Sequence, residues 1–429
     1  MITAILSVAI FLVCLGFFLT ERVDRTIVAL LGSILMVLLG IASGIFTETQ
    51  AIQAIDFRTI FLLLAMMILV ALLEPTGFFQ FLAVKVGVLS QGKPIRLLIF
   101  IGAATFVVSM ILNSITAVVL IAPVTILICE LLDLNVQPFL FSEIFLANLG
   151  GTSTLVGSAP NILIGSAAHF TFVDFLTHSF PIILIAAAGC TVLFIFYFRK
   201  DLHRSPKKVR ALRQLNPREA LHDPKSAIII LGVIAFTILL FLASDMLNIS
   251  PALAAFIGVG LALGILRPSV PGILKGVQWE ILVFFSALFI LVGGMDAAGV
   301  FREITRWVLL LNNLSPMLMG LIFLWLSALL SAVVENIPIA IAFIPVIQGL
   351  NQAGLNVLPI WWAVILGTGL GGNGTIVGSA VNIVVAGLST KSRHPITSRL
   401  WNQRALPITL AGLIIASGLF VLYFSIFGN

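Results

Sequence analysis

Two segments of this chain interrupt apolar stretches with residue types that bind small polar ligands. One runs Gly150-Gly151-Thr152-Ser153-Thr154-Leu155-Val156-Gly157-Ser158-Ala159-Pro160-Asn161, the other Gly371-Gly372-Asn373-Gly374-Thr375-Ile376-Val377-Gly378-Ser379-Ala380-Val381-Asn382. Glycine lets a helix unwind and a ligand approach the backbone closely. The carbonyls freed on one side of such a break can coordinate a cation. Ser158, followed by Pro160, and Ser379 read as N-caps of a new half-helix, whose free N–H groups and partial positive charge attract an anion. Candidate ligands are therefore Gly151, Thr152, Thr154, Ser158 and Asn161 in the first segment and Gly372, Asn373, Thr375, Ser379 and Asn382 in the second. The plainer role for such glycines and serines is close helix packing. Two copies at matching positions favour binding.

A second pair of polar breaks falls at Asn113-Ser114, with Thr116 close by, and at Glu335-Asn336. Glu335 is the more telling, because an acidic side chain at membrane depth costs about 2.5–3.5 kcal/mol on insertion scales and marks a functional site. Its counterpart, in the register that matches Pro123 to Pro345, is Asn113. A carboxyl group there can take up a proton in one state and release it in another, so Glu335 is the candidate for proton coupling. Capping of the turn by the asparagines, and a structural carboxylate, are the alternatives. Glu74 and Asp296 read as the points where a span turns into a surface helix. Glu130 and Glu143 are expected near the cytoplasmic interface and solvated. Arg58, beside Asp56, reads as an interfacial anchor.

Other chemistry is thinly represented. Cys14, Cys129 and Cys190 lie in apolar stretches without CxxC spacing, and the five histidines fall outside or at the ends of such stretches. The sequence has no HExxH, Walker A or GxSxG element, so neither an enzyme nor a resident metal or cofactor is expected; an ATP-driven pump would need a separate subunit.

The elements that position these residues are membrane helices. Of 429 residues, 60% are hydrophobic and 9% charged, against roughly 25% charged in soluble domains. Candidate spans of about 20 residues fall at 2–20, 27–45, 58–75, 138–168, 177–198, 226–245, 251–267, 279–296, 359–390 and 405–427. The stretches 97–132 and 315–352, each broken near its middle, read as re-entrant hairpins. Residues 2–20 lack a preceding basic stretch and a cleavage site, and read as the first span. With the basic 199–225 segment placed in the cytoplasm, 20 of the 23 Lys and Arg fall on that side, the exceptions being Arg58, Arg302 and Arg306. The net charge of +6 is then a topology signal, with no nucleic-acid partner implied, and both termini are expected outside. A full crossing by each hairpin arm would give the same charge count.

The chain also repeats itself. Gly150 to Ile162 matches Gly371 to Ile383 at an offset of 221, while Glu74-Pro-Thr-Gly77-Phe78-Phe79 matches Asp296-Ala-Ala-Gly299-Val300-Phe301, and Pro123 matches Pro345, at 222. Residues 1–198 form one repeat, 199–225 a basic cytoplasmic linker, and 226–429 the second. Five spans per repeat is an odd number, so the second repeat is inverted. The expected fold is an all-α membrane protein with about ten transmembrane helices and two re-entrant hairpins, an architecture of secondary transporters.

On these residues the chain resembles the ion transporter superfamily, and within it the arsenite permease and P-protein group, relatives of the sodium/dicarboxylate symporters and of one class of sodium/proton antiporters. The resemblance covers nearly the whole chain. It is carried by Leu73 to Phe79, by Glu335-Asn336-Ile337-Pro338, by Gly371 to Asn382 and by Gly150 to Asn161. It implies a mobile transport domain moving like an elevator against a scaffold, a homodimer, and substrate and coupling-ion sites at the hairpin tips and unwound helices. Glu335 replaces the usual first Asn of the second tip, and neither tip carries the Ser-Asn-Thr triplet of the dicarboxylate carriers. A site without Lys or Arg suits a neutral hydroxylated oxyacid, so the leading expectation is proton-coupled efflux of arsenite or antimonite. Sodium-coupled uptake of a dicarboxylate, citrate or sulfate, and sodium/proton antiport, stand as alternatives; from other classes, the membrane subunit of an ATP-driven pump or a channel. The expected location is the plasma membrane, the inner membrane of a bacterium.

Overall fold

The computed structural model describes residues 2–20, 23–203, 206, 209–310, 313–390 and 392–427, and these form helices and turns with no strand. Arg204, Ser205, Lys207 and Lys208 of the linker, and Lys391, lie outside the described residues. The principal helices of the first half are α1 (Ile2–Thr20), α2 (Arg25–Ser43), α3 (Phe57–Leu73), α4 (Phe78–Leu89), α5 (Pro94–Ser109), α6 (Ser114–Leu132), α7 (Gln137–Thr152), α8 (Ala159–Ala168) and α9 (Phe180–Tyr197). Those of the second half are α10 (Pro224–Leu242), α11 (Pro251–Leu266), α12 (Trp279–Ala297), α13 (Val300–Leu309), α14 (Pro316–Val333), α15 (Asn336–Gln352), α16 (Leu358–Gly371), α17 (Ala380–Ser389) and α18 (Ser398–Phe427). Eight of the described helices are long and apolar enough to cross a bilayer, and shorter apolar helices accompany them. Large apolar side chains such as Leu38, Ile228 and Leu239 stand exposed on the outer helices. Water would not tolerate that surface and lipid does.

Helix starts recur at the interval read from the sequence: Phe57 and Trp279, Phe78 and Val300, Pro94 and Pro316, and Ser114 and Asn336 each stand 222 residues apart. Local signals explain these starts. Asn113 accepts from the Ile115 N–H at 3.1 Å and caps α6, and prolines open α5, α7, α8, α14 and α16 within their first turns, where a missing N–H is harmless. Glu335 holds the position equivalent to Asn113 but makes no capping bond with its side chain.

α7 and α16 are the innermost elements, with every residue from Pro138 to Thr152 and from Pro359 to Gly371 buried. The first arm of each hairpin packs on one of them, α5 on α7 and α14 on α16. Glycine makes this approach possible: a Cβ at Gly150 would lie 2.3 Å from the Phe106 carbonyl oxygen, and one at Gly371 2.3 Å from that of Ala328. The second arms cross over, α6 packing on α17 and α15 on α8. α7 and α16 themselves run antiparallel. Asn148 reaches Asn373, and Thr152 fills the space over Gly369. Because 148 and 369, and 152 and 373, are the same repeat positions, these are one contact seen from both sides of a two-fold axis.

Glu143, expected to be solvated, is fully buried on α7. α5 and α6 wrap this end of α7 and keep the side chain from solvent. Thr125 donates to one of its carboxyl oxygens, and the other has no partner among the described residues.

Candidate functional site

Both hairpin tips and both helix breaks meet at one cavity of about 250 Å³. Asn113 and Ser114 from the first tip, Glu335 and Asn336 from the second, and Ser158 and Ser379 at the starts of α8 and α17 all line it. Thr116 lines a smaller adjoining cavity of about 40 Å³, which shares Asn113, Ser158 and Gln278 with the first.

The remaining sequence candidates lie behind this wall and hold it in shape. Asn161 donates from Nδ2 to the carbonyls of Gly151 and Thr152, each at 3.0 Å, and of Thr154 at 2.7 Å. Asn382 does the same in the other half, to Gly372 at 2.7 Å and Thr375 at 2.8 Å. Their amide hydrogens are thus spent on the carbonyls freed by their own helix breaks. Thr154 and Thr375 donate to the hairpin carbonyls of Met110 and Ala332. Thr152 donates to Asn148 O at 2.7 Å. At Gly151 and Gly372 a Cβ would meet Ser114 Oγ at 2.3 Å and Asn336 Oδ1 at 2.7 Å, so these glycines seat the tip residues. The tips are tied down from the other side as well: Ser109 donates to Ala147 O at 2.6 Å, and Ser331 to Thr368 O at 2.9 Å and Asn336 Oδ1 at 2.6 Å.

Ser158 and Ser379 occupy N-cap positions, but neither side chain makes the capping bond read from the sequence. Ser379 donates instead to Asn148 Oδ1 at 3.2 Å. The N-terminal N–H groups of α8 and α17 are therefore not occupied by these hydroxyls. They lie at the cavity, where an anion would find them.

Several cavity residues escaped the sequence reading. Asn148, on α7, donates to Asn373 Oδ1 at 2.7 Å and Asn382 Oδ1 at 3.2 Å, joining the two halves through buried amides. Nδ2 of Asn373 has no partner among the described residues. An asparagine inside an apolar helix is itself a signal, so Asn148 was findable.

Arg25 was not. It stands at the start of α2 and pairs with Glu335 across the cavity, Nη1 to Oε2 at 2.5 Å, with the two side chains 47% and 18% exposed. The expectation of a site free of Lys and Arg is corrected here: Arg25 had been counted only as a topology charge. Asp24 caps α2 beside it, and the Thr26 backbone amide holds the Asp24 carboxyl below the usual carboxylate range. Gln278 and Glu280, at the start of α12, complete this side. No cluster of three or more His, Cys, Asp or Glu able to hold a metal occurs among the described residues.

A chain of membrane helices that gathers two hairpin tips and two helix breaks around one cavity is a membrane transporter. The comparisons agree. A family model described as a citrate transporter family, CitMHS, matches residues 15–367, and the chain belongs to that family. A 46 kDa membrane protein of Mycobacterium leprae is 33% identical over 419 residues, spanning 96% of this chain and 97% of that protein. An uncharacterized transporter of Mycobacterium tuberculosis is 33% identical across 99% of this chain and 100% of its own length. The human P protein is 28% identical over 86% of this chain, which spans 54% of that protein. Among solved structures, the Alcanivorax borkumensis YdaH transporter superposes with a TM-score of 0.55 at 16% identity, covering 88% of each chain, and shares the fold.

Proposed function

We propose that the protein is a proton-coupled secondary transporter of a small carboxylate anion, and that substrate and Glu335 compete for Arg25. The observation that carries this reading is the Arg25–Glu335 pair spanning the cavity between α2 and the second hairpin tip. A carboxylate already seated on Arg25 is a stand-in for a carboxylate substrate. Half-exposed ion pairs contribute only about 0–1 kcal/mol, so an entering polyanion with the two half-helix N-termini at its disposal can displace Glu335. In this reading the carboxylate released from Arg25 is the group that carries the coupled proton. Substrate entry and proton uptake are linked by one arginine. The citrate transporter family supports a carboxylate as cargo. A neutral oxyacid such as arsenite would make no use of the Arg25 charge, and so is the weaker reading.

The two hairpins, the broken helices, α9 and α18 would form the moving unit, and α1–α4 with α10–α13 the frame, with residues 1–198 and 226–429 as inverted repeats. Under the sequence topology the Arg25 end of the cavity faces the cytoplasm.

The test is flux in proteoliposomes with citrate, succinate, sulfate and arsenite, with and without an imposed pH gradient. Citrate or succinate should accumulate against its gradient under a proton gradient alone. Glu335→Gln should exchange substrate without accumulating it. Accumulation equal to the parent would sink the coupling role, and transport of arsenite alone would sink the anion reading.

A further inference from the structure

We infer that a second cavity, at the far end of α3, receives the same class of anion on the opposite face of the membrane, with Arg58 as the cation that holds it. This rests on the anion reading above. The cavity measures about 220 Å³, and Arg58, Thr59, Ser166, His169, Asp245 and Ser250 are among the residues that line it.

Its position follows from two helices. Arg58 and Thr59 open α3 at this cavity, while Val70 and Glu74 border the small cavity that adjoins the Arg25 site. Arg58 and Glu74 are separated by roughly 24 Å along the helix axis. α8 tells the same story, with Ala159 at the first cavity and Gly165, Ser166 and His169 at the second. Ile162 borders both the small cavity and the second one. Between the two ends α3 presents Leu63, Met66, Met67 and Val70 to the small cavity. These four side chains offer no positive charge to a bare anion.

The repeat relates the two cavities. Arg58 occupies the position of Glu280, 222 residues earlier, and Ser250 caps α11 as Asp24 caps α2. The residue after Ser250 is Pro251, which cannot play the part of Arg25. Each cavity nevertheless has one arginine, supplied by α2 at one end and by α3 at the other. Topology does not account for Arg58. It lies on the face that holds only 3 of the 23 Lys and Arg in the sequence topology, where the positive-inside tendency works against a basic residue. Arg58 is exposed and makes no ion pair among the described residues.

The experiment uses the full chain in sided proteoliposomes, with citrate and succinate as probes. Arg58→Gln should raise the half-saturation concentration for flux entering at the Arg58 face by about tenfold or more, the scale of one charged hydrogen bond. The value for entry at the Arg25 face should stay within about twofold. Arg58→Lys should recover part of the loss. To show that the cavities open on opposite faces, Ser166→Cys and Gln278→Cys should be labelled by a membrane-impermeant maleimide from opposite sides; Cys14, Cys129 and Cys190 are buried. Equal shifts at both faces, no shift at the Arg58 face, or labelling of both cysteines from one side would overturn the inference. If the parent moves no carboxylate from either face, the anion reading has failed and this inference goes with it. If it moves citrate while Arg58→Gln changes neither face, this inference alone has failed.

Discussion

Asn161→Ala removes an amide whose two hydrogens serve three carbonyls, those of Gly151, Thr152 and Thr154. Two ordinary hydrogen bonds are worth about 0.5–1.5 kcal/mol each, and a buried carbonyl left without a donor costs about 1–3 kcal/mol. Asn161 is 1% exposed, so water does not reach the loop to replace it. The expected loss is about 2–4 kcal/mol of stability in the loop that shapes the cavity wall. Asn161→Asp keeps the shape but sets carboxyl oxygens against three carbonyl oxygens, and should cost at least as much as alanine. Because the side chain does not line the cavity, the first effect is on the fold: purified protein should lose several degrees of thermal midpoint in detergent, while substrate affinity of the surviving folded fraction changes by less than about threefold. The assay is paired, a thermal midpoint from intrinsic fluorescence and a dissociation constant by calorimetry. An unchanged midpoint with affinity weakened tenfold would show that Asn161 is a ligand and not a clasp. Asn382→Ala should be the more damaging of the pair, since its Oδ1 also accepts from Asn148.

A Cβ at Gly369 would lie 2.0 Å from Thr152 Oγ1 and 2.8 Å from Thr152 Cβ. Gly369→Ala should therefore cut folded yield, by roughly the 1–3 kcal/mol of an overpacked core or more, and Thr152→Gly should restore part of it; yield by size exclusion decides. Glu143 and Thr125 stand where the second half has Val364 and Ile347. Glu143→Val with Thr125→Ile, copying the other half, should fold as well as the parent, because both polar partners leave together. Thr125→Ile alone strands the carboxyl and should lower the thermal midpoint.

The features written locally were legible in the sequence. A glycine-rich or asparagine-bearing break inside an apolar run shows in a few residues, which is why both tips and both unwound segments could be placed and their repeat seen. What depends on packing between distant segments was not. Arg25 meets Glu335 across 310 positions of chain, and in the sequence its charge looks like the other basic residues that set topology. Asn161 and Asn382 were recognised as polar residues at a helix break, but whether an amide faces a ligand or its own loop is settled only by which way the freed carbonyls turn. Glu143 was misplaced for a related reason, since distance from a loop says nothing about the helices wrapped around it.

The distribution of hydrogen bonds bears on how such a site can move. Within the unit of hairpins and broken helices the ties are buried, many and directional: Ser109 and Ser331 to the inner helices, Thr154 and Thr375 to the hairpins, Asn148 across the two-fold axis. Between this unit and the α1–α4, α10–α13 frame, the Arg25–Glu335 bond is the only side-chain hydrogen bond among the described residues. Between the two cavities α3 offers methionines and leucines toward α8. Dispersion contacts of this kind are individually about 0.1–0.2 kcal/mol and reform as surfaces slide, and methionine adapts to a changing neighbour. Directional bonds would have to break together. Among the side-chain hydrogen bonds of the described residues, this half-exposed ion pair, worth about 0–1 kcal/mol, is the one that crosses the boundary, and it lies at the cavity. Under the proposed function, displacing Glu335 from Arg25 would fill the site and remove that restraint in the same event.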